Sequence, residues 1–388
     1  MVYLDYAATT PMMDEVIAAM LPYQQQYFGN PSSVYAAGRE AKKGLEEARE
    51  KVAAAIGAQP AEVVFTAGGT EADNLALKGA VAKADPRRRH VITTSIEHHA
   101  VLHSAEWLER QGCRVTFLPV DNNGILNLDA LKASLSPETS LVSVMLANNE
   151  VGTIQPLREV VEIVKEHSRA VVHTDAVQGL GKIPVDVEAL GVDMAAFAAH
   201  KLGGPKGVGA LYLRRKTAIA PQLHGGGQER QLRSGTPNVA GIVGFGTAAE
   251  VSASEVAGQG VKLAELRDRL QDRIVHAIPD VSVNGGDGPR VPGTLSVCIQ
   301  GVEGESLLLM LDSRGVAASS GSACASGSLE PSHVLMAMGV APETAHGSLR
   351  LSMGRGSLGL DVDALVETLS QVVARLRSIA PRFAKSAS

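Results

Sequence analysis

Aromatic residues make up only 3% of the chain, with a single Trp, so the interior cannot be built on large ring systems. There are three cysteines, Cys113, Cys298 and Cys324, far apart and without CxxC spacing. That number and spacing exclude a disulfide framework and a zinc site, and point to a reducing compartment. Positive charge is not in excess: the formal net charge is −5, which leaves no basic field for nucleic acid or for an anionic membrane. The run Arg87-Arg88-Arg89 sits between a helix-like and a strand-like stretch and reads as a solvated loop. No apolar run is long enough to span a bilayer, and the N-terminus lacks a basic segment followed by an apolar one. The expected location is the cytoplasm, with neither nucleic acid nor membrane as a partner.

What is abundant is small residues. The 40 glycines, with plentiful alanine, suit helices packed closely on a sheet with many tight turns. A length of 388 residues suggests two domains. From about Val63 to Leu213, β-branched runs alternate with helical patterns, the signature of an α/β domain with a mostly parallel sheet. The expected strands are Val63 to Thr66, Val91 to Thr94, Val115 to Pro119, Leu141 to Leu146, Val171 to Thr174, Met194 to Phe197 and Val208 to Leu213. Loops after such strands are where chemistry is expected. After Ala249 the pattern changes to a charged helix, Val261 to Ala277, a strand at Thr294 to Ile299, a Gly/Ser-rich loop and a last helix from about Val362. This predicts a large domain over 13–255 and a smaller α/β domain made of 1–12 and 256–388.

In Phe197-Ala198-Ala199-His200-Lys201-Leu202-Gly203-Gly204, an apolar strand delivers a lysine into a glycine-rich loop. Amines attack carbonyls only when unprotonated, so a lysine with an ordinary pKa of about 10.4 needs burial or a neighbouring cation to do so. On its own such a lysine is more often a surface residue. The strand Val171 to Thr174 runs into Asp175, a place from which a carboxylate can keep a pyridine nitrogen protonated, although an ordinary helix cap is the simpler reading of an Asp after a strand. The segment from Phe65 through Gly68, Gly69 and Thr70 feeds a helix start suited to a phosphate. His98, in Glu97-His98-His99-Ala100, stands beside a helix start, where a cap is as common as a catalytic base.

Taken together, these segments resemble the cysteine desulfurases of the NifS/IscS type, in the pyridoxal-phosphate-dependent class V aminotransferase family. The likeness includes Asp5 to Thr10, Thr70-Glu71, Glu97-His98, Asn148 to Gly152, Asp175 with Gln178, His200-Lys201, Arg233 to Thr236 and Ser319 to Cys324, and runs from residue 3 to about 355. The resemblance implies a fold type I transferase architecture and pyridoxal 5'-phosphate as cofactor. It makes Lys201 the lysine that bonds the cofactor and Asp175 the partner of its pyridine nitrogen. Gln178 would bond the ring hydroxyl, and His98 would stack on the ring and move protons. Gly69, Thr70 and His200 would hold the phosphate, with Thr236 supplied by the other subunit of a homodimer. Asn149, which would also touch the cofactor, and Arg350 would orient the substrate carboxylate, a task that suits arginine. Cys324 would take sulfur from L-cysteine as a persulfide, leaving L-alanine, for delivery to an acceptor such as an iron–sulfur scaffold. No resident metal is implied, although Cys324 could serve as a transient iron–sulfur ligand. The family commonly has Ser where Ala198 stands, so one phosphate contact is expected to be missing. Cys113 and Cys298 lie in strand-like runs and read as packed apolar residues.

Four other readings are weaker. Gly354 to Gly359 matches GxGxxG, but the residues after it are too few for the rest of a nucleotide fold. His224-Gly225-Gly226-Gly227 resembles an esterase loop, yet no GxSxG elbow exists in the chain. A selenocysteine lyase or related pyridoxal-phosphate-dependent lyase on the same fold, and a non-enzymatic sulfur carrier or assembly scaffold, complete the alternatives.

Overall fold

The structure, a computed structural model, describes residues 1–321 and 331–379. Its described strands are, in chain order, β1 (Val2–Tyr3), β2 (Val63–Thr66), β3 (His90–Thr94), β4 (Arg114–Leu118), β5 (Thr139–Ser143), β6 (Val171–Asp175), β7 (Met194–Ala198), β8 (Gly209–Leu213), β9 (Val281–Val283), β10 (Thr294–Ile299), β11 (Val316–Ala317) and β12 (Ser348–Ser352). Seven of them form one sheet in the order β2-β8-β7-β6-β5-β3-β4. The run from β7 to β4 is parallel, and β8 is antiparallel to both β7 and β2. All five residues of β3, β5 and β7 are buried, which is why these segments read as continuous apolar or β-branched runs and not as alternating ones. The edge strand β4 is partly exposed. Beyond Ser143, the amides of Val144 and Leu146 still donate to the carbonyls of His173 and Asp175, so the extended run continues past the ladder proper, as the pattern to Leu146 suggests.

A second sheet, β12-β10-β9, is antiparallel, and β1 pairs with β11. The apolar side chains separate accordingly. Val63, Phe65, Val142, Val172, Phe197 and Phe245 belong to a cluster under the large sheet. Leu4, Leu295, Val297, Leu349, Leu351 and Leu369 belong to another.

The helix expected from Val261 begins at Val239 and runs unbroken to Ala277, through the expected domain boundary at 255. Its first part is rich in Gly, Ala and Ser, and its large buried apolar residues, Val239, Ile242 and Phe245, span only two turns, so the sequence gives little periodic signal there. Packing supplies the reason for helix. A Cβ on Gly246 would lie 2.7 Å from Ala48 Cα, so this helix and Ala36–Ala55 meet nearly backbone to backbone. Small residues thus do here what aromatic bulk does in other cores. The Gly354 to Gly359 run forms a short turn, Arg355–Ser357, before the helix Val362–Ile379. A Cβ at Gly354 would meet the Tyr6 ring at 2.2 Å, so that glycine serves ring packing.

No helix among the described residues is long and apolar enough to cross a membrane.

Candidate active site

Five strands of the large sheet end on the same side. After β2 comes the Gly68-Gly69 turn, after β3 comes His98, after β5 Met145 and Asn149, at the end of β6 Asp175, and after β7 His200 and Lys201. Such ends are where α/β sheets bind ligands. Here they enclose a cavity of about 290 Å³, with Ala7 and Ala8 from the N-terminal segment and Arg350 from β12 completing its walls.

Lys201 closes a single 3-10 turn, Ala199–Lys201, directly after the buried strand β7. Its Nζ donates to Ala7 O at 2.6 Å and to Ala8 O at 2.8 Å, so a segment nearly two hundred residues away in sequence fixes the amine. Asp175 is buried, and its Oδ1 accepts from Val177 N at 2.9 Å. Burial pushes its pKa up, opposed by His98, the Val177 N–H and Lys201. A buried carboxyl group in this state gains most from a cationic N–H brought to it by a ligand.

His98 is a helix cap and a cavity residue at once. Its Nδ1 accepts from Ala100 N at 3.1 Å, which puts the proton of the neutral ring on Nε2. Burial lowers its pKa, with Asp175 opposing and Lys201 adding to the fall. His200 is held by Thr9 Oγ1 at 3.2 Å, and burial followed by Lys201 takes its pKa down to about 4. Gly69 and Thr70 open the helix Gly69–Lys83. A Cβ on Gly69 would fall 2.6 Å from Val177 Cγ2, so only glycine lets the helix start approach this closely. The positive end of the helix dipole therefore faces the cavity wall.

Arg350 is 2% exposed. Its Nη2 meets Asp5 Oδ1 at 2.7 Å and its Nη1 donates to Asn149 O at 2.9 Å, while Nε has no partner. Guanidinium has five N–H donors, so donors remain for a carboxylate. Gln178 Nε2 donates to Ala7 O at 2.9 Å.

The structure thus brings together Gly69, Thr70, His98, Asn149, Asp175, Gln178, His200, Lys201 and Arg350 around one cavity. Thr236 is not among them. It lines a separate small cavity of about 90 Å³ with Thr66, Gly207 and Arg233. Cys324 lies outside the described residues. Cys113 and Cys298 are free and buried, as expected of packed thiols.

A model of the class-V aminotransferases matches residues 2–365. The chain belongs to this family. It is 49% identical over 380 residues to a cysteine desulfurase IscS of Methanosarcina thermophila, covering 98% of this chain and 94% of that protein. An IscS-like cysteine desulfurase of Mycobacterium tuberculosis is 49% identical over 387 residues, covering 98% of each chain. A solved NifS-like protein superposes with a TM-score of 0.90 at 39% identity, covering 96% of this chain and 99% of that one. The fold is therefore the mixed α/β fold type I of the class-V aminotransferases, enzymes dependent on pyridoxal phosphate.

The cavity fits that cofactor on its own chemistry. A buried carboxyl group suits a pyridine nitrogen, an amine held by two carbonyls suits an aldehyde, and a glycine-tight helix start suits a phosphate. Among the described residues, no group of three or more His, Cys, Asp or Glu side chains is placed to hold a metal ion.

Sequence reasoning missed several groups at or beside this cavity. Asp73 lines the cavity and is fully buried, its Oδ1 3.5 Å from His173 Nε2 and without a hydrogen bond. It lies three residues after Thr70 on one helix face, and His173 lies two before Asp175 on one strand face, so both were legible from periodicity. The carbonyls of Ala7 and Ala8 that hold Lys201 left no local signal. Lys182, whose Nζ donates to Gln178 Oε1, had only its spacing four residues after Gln178.

Glu97 adds a pH dependence. Its Oε1 accepts from Thr94 Oγ1 at 2.7 Å and Met145 N at 2.9 Å, and its Oε2 has no partner. Burial outweighs these hydrogen bonds and pushes its pKa up to about 8. The folded chain therefore keeps a proton that the unfolded chain releases near its ordinary value of about 4.3. The resulting stability is full below that value and is lost as pH rises through about 8. Urea midpoints measured across this window should fall less steeply for Glu97→Gln than for the wild type, and equal slopes would show that Glu97 is ionised throughout.

Proposed function

We propose that this chain is a cysteine desulfurase, which moves the sulfur of L-cysteine onto Cys324 and releases L-alanine. The observation that carries the reading is one cavity holding an amine, a buried carboxyl group and a helix start in a chain 49% identical to a cysteine desulfurase over almost its whole length. The balance is simple: the Cys324 thiol and L-cysteine become a Cys324 persulfide and L-alanine, with no external oxidant.

Pyridoxal phosphate, when bound, supplies an aldehyde that bonds amines and a ring that withdraws electrons from the neighbouring carbon. The chain's own residues bind and orient. Gly69, Thr70 and His200 hold the phosphate. Asp175 keeps a proton at the ring nitrogen, and Gln178 faces the ring hydroxyl. Arg350 and Asn149 take the substrate carboxylate, which sets the substrate's α-carbon within reach of the Lys201 amine. That amine then accepts and returns the α-proton. His98, protonated on Nε2 in its neutral form, moves a second proton on the other side of the reaction. Cys324 attacks as thiolate, which at an ordinary pKa of about 8.5 needs a base beside it.

The same proposal divides the chain into a large cofactor-binding domain, 13–255, and a small domain, 1–12 with 256–388. The membership of Leu4 in the apolar cluster of β10 and β12 supports it, and the helix Val239–Ala277 joins the two, with Phe245 in one cluster and Leu270 in the other. It also makes the protein a homodimer. Phe28 is 77% and Val34 87% exposed, with Ile17, Leu21 and Tyr35 also open, an apolar surface that a second copy would cover. Thr236, outside the cavity of its own chain, would then serve the partner's cofactor. A protein acceptor such as an iron–sulfur scaffold would take the sulfur, and the cytoplasm would keep Cys324 reduced.

The test uses purified protein with pyridoxal phosphate and L-cysteine. Alanine should form, and a Cys324 peptide should gain the mass of one sulfur atom. Cys324→Ala should keep the cofactor's absorption and lose turnover. Full sulfur release by that variant would replace the persulfide reading with a lyase.

Ala198 lines the cavity with only a methyl group where relatives of this type commonly carry a hydroxyl. Ala198→Ser should slow cofactor release several-fold, the worth of one hydrogen bond at about 1 kcal/mol. Unchanged release would mean that the backbone N–H groups at Gly69 and Thr70 already satisfy the phosphate.

A further inference from the structure

Glu150, in the run from Asn148 to Gly152, has no part in the chemistry above, although it adjoins Asn149 and is buried. Its backbone is fixed: Asn148 Oδ1 accepts from Glu150 N at 2.8 Å and from Val151 N at 3.0 Å. Burial pushes its pKa up to about 7, against the pull of the Ser332 hydroxyl and of Arg350. Burying a carboxyl group is costly, so what it touches is informative.

Its contacts lie on the two sides of Cys324 in sequence. Ser332 Oγ accepts from Leu335 N at 3.2 Å, capping the short helix His333–Ala337, and donates its own proton to Glu150 Oε2. Gly321 meets the same oxygen: a Cβ there would lie 2.8 Å from Glu150 Oε2 and 3.2 Å from Ser332 Cβ. The chain therefore passes Glu150 at Gly321 and passes it again at Ser332, with Cys324 in the stretch between. Gly321 N also donates to Ser348 Oγ at 3.3 Å. Two residues earlier, Ser319 pairs with Arg350, Ser319 N donating to Arg350 O at 3.2 Å and Arg350 N to Ser319 O at 2.7 Å. Arg350 lines the cofactor cavity, so Gly321 is held close to the cavity wall.

Chain geometry turns this into a constraint on the thiol. Three residues of fully extended chain span at most roughly 11 Å, so the place of Gly321 limits where Cys324 can be. Attack by a nucleophile is sensitive to shifts of an ångström. Glu150 is not among the residues that line the cofactor cavity, so a change there acts on this limit and leaves the groups that hold the cofactor in place.

We propose that Glu150 is a positioning residue for the sulfur-transfer step, holding Gly321 and Ser332 together so that Cys324 is tethered beside the cofactor cavity. The inference rests on the reading of Cys324 as the sulfur acceptor, which Cys324→Ala tests separately.

The experiment follows a single turnover of the full-length, cofactor-loaded protein with L-cysteine by stopped and quenched flow. Two rates are read: the shift of the cofactor's visible band, which needs no Cys324, and the first alanine per chain, which does. Glu150→Ala should slow the alanine about tenfold and leave the band shift within about twofold of wild type. Glu150→Gln, which can still accept from Ser332 Oγ, should bring the alanine rate back to near the wild-type value. Ser332→Ala should repeat the Glu150→Ala pattern, and it reads the contact even where Glu150→Ala does not fold. The double variant should be no slower than either single one, since both remove the same contact. Equal slowing of both rates would place Glu150 in substrate binding through Asn149 and overturn the proposal. An unmoved alanine rate in Glu150→Ala, additive losses in the double variant, or Glu150→Gln behaving like Glu150→Ala would overturn it too. Alanine formed at the wild-type rate by Cys324→Ala would remove the reading of Cys324 and this inference with it. An inactive Cys324→Ala beside a fully active Glu150→Ala would sink this inference alone.

Discussion

Replacing Lys201 by alanine is expected to lower alanine formation from L-cysteine by about 10³-fold or more, because the variant loses both the amine that bonds the cofactor and the base at the α-carbon. The fold should survive. Lys201 sits at the end of a short turn, and its Nζ donates to two backbone carbonyls, Ala7 O and Ala8 O, beside a cleft that it lines. Urea midpoints near the wild-type value, together with lost turnover and a lost visible band from protein-bound cofactor, would be the expected pattern. Turnover within about tenfold of wild type would mean that another amine does the chemistry.

Asp175→Asn should show the second-largest effect. The side chain keeps its size and can still accept from Val177 N, the 2.9 Å bond that orients it, so its position is preserved. What it loses is the negative charge that holds a proton on the ring nitrogen. An electrostatic contribution of this kind is worth about 10²–10³ in kcat. Cofactor binding should weaken less than turnover, since phosphate and aldehyde contacts remain. The comparison of kcat with cofactor affinity checks this directly, and equal losses in both would make Asp175 a binding residue only.

These expectations depend on how much the chain displays before it folds. The interior parallel strands were legible because both of their faces are buried and the sequence answers with β-branched and small apolar runs. Lys201 and Asp175 were legible because each ends such a run. The beginning of the helix Val239–Ala277 was not, because Gly241, Gly244 and Gly246 are poor helix formers, and close packing, of Gly244 on Met20 and Gly246 on Ala48 of two other helices, favours helix there. Asp5, which pairs with Arg350 at 2.7 Å, shows the other limit. The two are brought together by the pairing of Asp5 with Ser352 at the end of β12, a contact no local pattern encodes. Lys182 illustrates a third: only the folded chain shows that its partner Gln178 shares the Ala7 carbonyl with Lys201.

The position of Thr236 is informative in the same way. It lies near Arg233, whose Nε meets Glu71 Oε1 at 2.7 Å, so the loop that carries it is anchored to the helix start beside the cavity without entering it. A single chain thus presents most of a cofactor site together with a loop aimed elsewhere, which is the arrangement a composite dimer site would need.

The most direct measurement is borohydride reduction of the cofactor-loaded protein, followed by digestion and mass spectrometry of every lysine peptide. The added mass of the reduced cofactor should fall on the peptide containing Lys201 and on no other. Its appearance on Lys182 instead, or on no lysine at all in a protein that binds the cofactor, would contradict the site described here.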